Sequence, residues 1–87
     1  MNAEERLLEY GYEGVKYLVD EGYDDALIGV SEDGRAIYDF DKMVEWLMTK
    51  YDWSETESIE WIEYNTIRAL PYFGDKAPII MYGLPLE

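Results

Sequence analysis

The chain has 87 residues, 48% of them hydrophobic and 16% aromatic, which is enough for one domain spanning 1–87 and too apolar for a disordered tail. It contains neither Cys nor His, which removes disulfides, thiolate nucleophiles, the commonest general base and the commonest transition-metal ligand together. Twenty Asp and Glu against seven Lys and Arg set the net charge at −13, so nucleic acid and anionic membranes are repelled and cationic proteins attracted.

Residues 3–21, "AEERLLEYGYEGVKYLVDE", predict one amphipathic helix. Leu7, Leu8, Gly11, Tyr12, Gly14, Val15, Leu18 and Val19 recur on one face at a 3.6-residue period, with Glu5, Glu9, Glu13, Lys16 and Asp20 opposite. Gly11 and Gly14 each cost a helix about 1 kcal/mol relative to Ala, so a break near Gly11 is the alternative. Lying on the inner face, they are expected where another backbone comes close, and Gly22 is expected to end the helix as a left-handed cap. Next, "ALIGV" and "RAIYDF" flank the turn "SEDG", which signals a hairpin with strands at 26–31 and 35–39.

"DFDKMVEWLMTKY" predicts a helix capped by Asp39 or Asp41, with Phe40, Met43, Val44, Leu47 and Tyr51 as its apolar stripe. Ser54 and Glu57 form an S-x-x-E capping box that opens another helix, expected to run to Leu70 where Pro71 stops it. "APIIMYG" predicts a third, short strand beside the hairpin. The expected fold is therefore α+β in the order αββααβ, with a small antiparallel or mixed sheet packed by helices. No segment resembles a secretory signal and no apolar run approaches membrane-spanning length; with no disulfides, a cytoplasmic setting is expected.

The 54–70 helix carries the clearest candidate surface. Ile59, Ile62, Thr66, Ala69 and Leu70 should face the core. Glu57, Glu60 and Glu63 fan over the opposite side at intervals of about 4.5 Å along the axis, with Tyr64 and Ile67 among them. That interval approaches the spacing of phosphates along a nucleic-acid strand, and each carboxylate can accept the two-pronged hydrogen bond an Arg otherwise gives to phosphate. The simpler account is that Glu is a good helix former and the strip is only solvated. Further acids at Asp24-Asp25, Glu32-Asp33 and Asp39-Asp41 are expected near one end of the hairpin or the turns around it. Charge this dense opposes compaction through self-repulsion, which argues for a use.

Asp24, Asp25, Asp39 and Asp41 have the hard oxygens that Mg²⁺ or Ca²⁺ prefers, yet "SEDGRAIYDFD" lacks the ordered ligand series of a calcium loop, so no metal or other cofactor is expected. No phosphate-binding loop or dinucleotide fingerprint appears, the carboxylates cluster in polar, mutually exposed stretches, and 87 residues leave little room for a catalytic cleft, so enzymatic activity is not expected. Asn65 should bond to local backbone, and Arg68 should pair with Tyr64 or the neighbouring acids. Trp46, Trp53 and Trp61 read as core or boundary packing, since no pattern gathers them.

In "ALIGVSEDGRAIYDFDKMVEWL" and "EWIEYNTIRALPYFGDKAPII" the chain resembles small acidic hypothetical proteins of Gram-positive bacteria and their phages. The resemblance implies a mobile-element accessory protein, a setting in which small acidic proteins often inhibit nucleic-acid-handling machinery. The expected function is that of a non-enzymatic binding protein that occludes a basic, nucleic-acid-binding protein by imitating nucleic acid. Its contacts would be Glu57, Glu60, Glu63, Asp24, Asp25, Glu32 and Asp33, with Tyr64 and Ile67 as apolar anchor. The alternative is a structural or homodimeric phage component whose 72–84 tail forms the interface and whose acidity serves solubility.

Overall fold

Asn2 opens the chain's first helix: its side chain accepts the Glu5 amide at 2.8 Å while the Glu5 carboxylate accepts the Asn2 amide at 3.2 Å, a closed capping box. The computed structural model describes residues 2–19 and 22–85. This helix, α1, covers only Ala3–Glu9. The single helix expected over 3–21 is not formed; the alternative break near Gly11 is what occurs, and Asp20 and Glu21 lie outside the described residues. Gly11 and Gly14 hold φ of +84° and +78°, a left-handed conformation no α-helix contains, and nothing lies within 4 Å of where a side chain would start. Their role is to turn the chain, which corrects the expected close approach of another backbone.

The irregular segment after α1 is tied down by single contacts. Tyr17 donates to Glu4 at 2.8 Å, Lys16 donates to the Phe73 carbonyl, and the Leu18 amide donates to the Tyr38 hydroxyl at 2.9 Å within the core. Gly22 is left-handed as expected, with φ +66°, but it opens a short 3₁₀ turn, Tyr23–Ala26.

Strands β1 (Leu27–Val30) and β2 (Ala36–Asp39) form the hairpin, and β3 (Ile79–Met81) pairs with β2 in parallel. The sheet is thus mixed, in the order β1-β2-β3, with β2 central. Ile28 is an extra residue between the Leu27–Tyr38 and Gly29–Ile37 pairs, a bulge that disrupts an otherwise exposed edge. Leu27, Ala36 and Tyr38 are sealed against the helices. On the opposite face, Ile37 and Ile79 remain half-buried.

Helix α2 (Phe40–Tyr51) begins where β2 ends, because Asp39 accepts the amides of Asp41 and Lys42. Phe40, Met43, Val44 and Leu47 go into the core as expected, whereas Tyr51 stays exposed. Helix α3 (Glu55–Trp61) begins at the expected Ser54–Glu57 capping box, closed at 3.1 and 3.0 Å. It then widens into a π-helical segment, Ile62–Ile67, and continues to a 3₁₀ segment, Leu70–Lys76. Pro71 does not stop the helical path as expected; it sits in the first turn of the 3₁₀ segment, where its missing N–H has no partner to lose. The break comes at Gly74, with φ +82°.

The molecule is α+β, with its core where the helices meet the sheet: Tyr23, Tyr38, Met43, Leu47 and Ile62 are fully buried. Among the described residues no helix is long and apolar enough to cross a membrane.

Candidate functional site

Ser58 on α3 and Ile62 at the start of the π-helical segment point inward and are fully buried, which fixes the outward face. Glu57, Glu60, Trp61 and Tyr64 follow at i, i+3, i+4 and i+7, so they share that outward face as neighbours. Together with Trp53 and Asn65 they line an open cleft of about 390 Å³.

Trp53 reaches the cleft through Asp52, which ends α2 in a left-handed conformation (φ 56°, ψ 38°) and folds the chain back on itself. Trp53 stacks on Tyr51 with ring centroids 4.7 Å apart and planes 24° apart, and Trp61 lies 6.4 Å away at 41°. Trp46 stands edge-on to Tyr51 at 6.1 Å and to Tyr23 at 5.7 Å. The three tryptophans are half-buried boundary residues as expected, but the fold does gather them: a continuous aromatic row runs from the core at Tyr23 to the surface at Trp61.

Asn65 donates to the Trp61 carbonyl at 2.9 Å, as the sequence suggested. A side chain that occupies a main-chain carbonyl competes with the i→i−4 ladder and favours the wider π turn, a feature frequent at functional sites. Arg68 lies over the Tyr64 ring, 5.7 Å from its centroid, as also expected.

The candidate residues separate into groups. Glu57, Glu60 and Tyr64 meet in the cleft, and Tyr64 is 66% exposed. Glu63 is exposed but does not line the cleft. Ile67 is half-buried and packs on the core cluster, so it is a packing residue rather than an apolar anchor within the acidic strip. Asp24 is half-buried and its carboxylate accepts the Ala3 amide at 2.9 Å, tying α1 to the 3₁₀ turn. Asp25 is exposed beside Lys42, Glu45 and Trp46.

Glu32 and Asp33 occupy the hairpin turn, at the far end of β1 from Asp24 and Asp25. Four strand residues separate the two pairs, roughly 13 Å at the usual rise, so the acids do not converge on one end of the hairpin. Asp33 accepts the Ser31 hydroxyl, which holds its carboxyl below the usual range, aided by Lys76 and Arg35. Asp39 caps α2, and Asp41 lies with Glu45 and Glu55 in a second cleft between α2 and α3. Among the described residues no group of three or more acids is arranged to hold a metal ion.

Four of the seven cations are directed elsewhere. Arg6 donates to the carbonyls of Asp24 and Leu27, Lys16 to that of Phe73, Arg35 to that of Ala77 and Lys76 to that of Asp33. These four side chains hold main-chain segments together instead of lining the cleft on the α3 side. Trp53 and Trp61 join the site although the sequence marks them only as packing residues. The i+4 spacing from Glu57 could have found Trp61; nothing in the local sequence brings in Trp53, which depends on the Asp52 turn.

In comparisons with known proteins, no family model, no curated protein and no solved structure matches the chain.

Proposed function

We propose that the protein is a non-enzymatic binder of a basic protein surface, covering the site by which that partner grips nucleic acid. The observation that carries this reading is the outward helical face where Glu57 and Glu60 line one cleft with the exposed Tyr64, while Arg6, Lys16, Arg35 and Lys76 donate to main-chain carbonyls elsewhere. Charge steers and orients such an encounter, and an exposed aromatic among the carboxylates supplies contact area that charge alone lacks. In the setting implied by the resemblance to phage and Gram-positive proteins, the partner belongs to nucleic-acid machinery and the encounter takes place in the cytoplasm.

Affinity capture at about 50 and 300 mM salt tests it, since surface charge is strongly screened over that range. The partner is expected to be basic, to elute at the higher salt and to be displaced by duplex DNA. The combined substitution Glu57→Gln, Glu60→Gln and Glu63→Gln is expected to weaken binding about tenfold. A neutral or acidic partner, or retention indifferent to salt, rejects the reading.

A second reading is a homodimer built on the tail. β3 is an edge strand, Tyr72 is 91% exposed and Leu84 88%. Two copies at −13 each repel, so such a dimer needs salt to form. Light scattering that finds a monomer at high concentration and high salt rules it out.

A further inference from the structure

The cleft on α3 is more specific than an acidic face requires. Two indoles and a phenol line it with two carboxylates and one amide, and among the described residues no cation does. Purely apolar occupants would desolvate Glu57 and Glu60 without compensation. Nucleobases stack on such rings, but their phosphates would meet the same carboxylates and a net charge of −13. What remains is a flat cation.

We propose that this cleft receives an arginine side chain of the partner protein, its guanidinium laid against Trp61 and Tyr64 and paired with the Glu60 carboxylate. The proposal rests on the basic-partner reading above and specifies what that partner inserts. Arginine fits better than lysine for three physical reasons: its plane stacks on rings, its fork matches a carboxylate, and it gives up hydration more readily.

Glu60 is the assigned acceptor because Glu57 already accepts the Ser54 amide at 3.0 Å in the capping box. Arg68 supplies an internal precedent, its guanidinium carbon lying 5.7 Å from the Tyr64 centroid. The rings are held before any partner arrives. Trp53 is stacked on Tyr51, and both Trp53 and Trp61 pack against the core. Pre-positioned rings lower the entropy lost on binding.

Octa-arginine and octa-lysine peptides, equal in length and charge, provide the test, with tryptophan fluorescence and calorimetry at about 20 and 150 mM salt. Octa-arginine is expected to bind about three- to tenfold more tightly than octa-lysine and to quench tryptophan emission. Tyr64→Ala should bring arginine affinity down toward the lysine value while leaving lysine binding nearly unchanged. Because Tyr64 is exposed, that variant keeps its thermal transition; Trp61→Ala, which also touches the core, serves as the second variant. Equal affinity for the two peptides, with no effect of Tyr64→Ala, overturns the arginine assignment while leaving the basic-partner reading standing. Failure of both peptides to bind at the lower salt overturns both. Binding of single-stranded oligothymidine overturns the choice of a cation.

Discussion

Asp52 occupies a left-handed conformation that costs a residue with a β-carbon about 1–2 kcal/mol, and it is the only described non-glycine residue to do so. Asp52→Gly should therefore raise stability by about 0.5–1 kcal/mol, a gain of roughly 4 °C in melting temperature, without moving Trp53. Calorimetry checks the first part and peptide binding the second. Gly22 presents the reverse case. A β-carbon there would come within 2.7 Å of the Trp46 ring at a φ of +66°, so Gly22→Ala should cost about 1–3 kcal/mol.

Tyr38 is the third residue whose surroundings set its behaviour. Burial pushes its phenol up to about 12, partly offset by the Leu18 amide, which donates to its oxygen. The unfolded phenol ionises near 10. The stability linked to a neutral Tyr38 is therefore complete below pH 10 and is lost as pH rises from there toward 12. Tyr38→Phe should flatten that alkaline decline and, by leaving the Leu18 amide unpaired, cost about 1–3 kcal/mol at neutral pH. Alkaline denaturation curves of the two proteins decide it.

Among the elements, α3 owes its start to two side-chain bonds and its continuation to a change of helix type. Ser54→Ala removes the hydroxyl that accepts the Glu57 amide but keeps the main-chain N–H that donates to the Glu57 carboxylate, so it should destabilise by about 1 kcal/mol, read as a shift in the denaturant midpoint at constant slope. With the Glu57 carboxylate still held by the main-chain amide of residue 54 and Glu60 untouched, affinity for octa-arginine is expected to hold. A fall would mean that the cap positions the cleft. β3 is the weakest element: it has three residues, one neighbour and no fully buried side chain. It is anchored just beyond its end, where Tyr82 meets Phe40 with ring centroids 4.7 Å apart.

At the scale of the whole molecule, the accessible surface is 6071 Å², larger than the roughly 5,300 Å² usual for this mass. Exposed rings such as those of Tyr10, Tyr72 and Tyr82 contribute to it. Thirteen net negative charges on this surface repel one another, and screening relieves that repulsion. The melting temperature should accordingly rise by several degrees between about 10 and 500 mM sodium chloride. A flat or falling curve would mean that the acids are locally compensated, contrary to their placement.

Features governed by near neighbours could be read directly from the residues. The Ser54–Glu57 box, the Asp39 cap, the hairpin around "SEDG", the stripe Phe40–Met43–Val44–Leu47 and the mixed α+β order all follow from spacing and short-range chemistry. The apolar period persists through Leu18 and so predicts a longer helix than α1, because periodicity does not register the left-handed φ of Gly11 and Gly14. Pro71 does not stop the helical path because the chain enters a new 3₁₀ turn there, which the residue type alone does not reveal. The acidic face of α3 was visible in the sequence, as were Glu57, Glu60 and Tyr64. The cleft was not: it needs the Asp52 turn to bring Trp53 back to Trp61 and Tyr64. Residue types and their spacing determined the charge, the helices and the strands. Only the folded chain decided which rings stand next to which carboxylates, because those contacts join segments whose positions are set by packing on a common core.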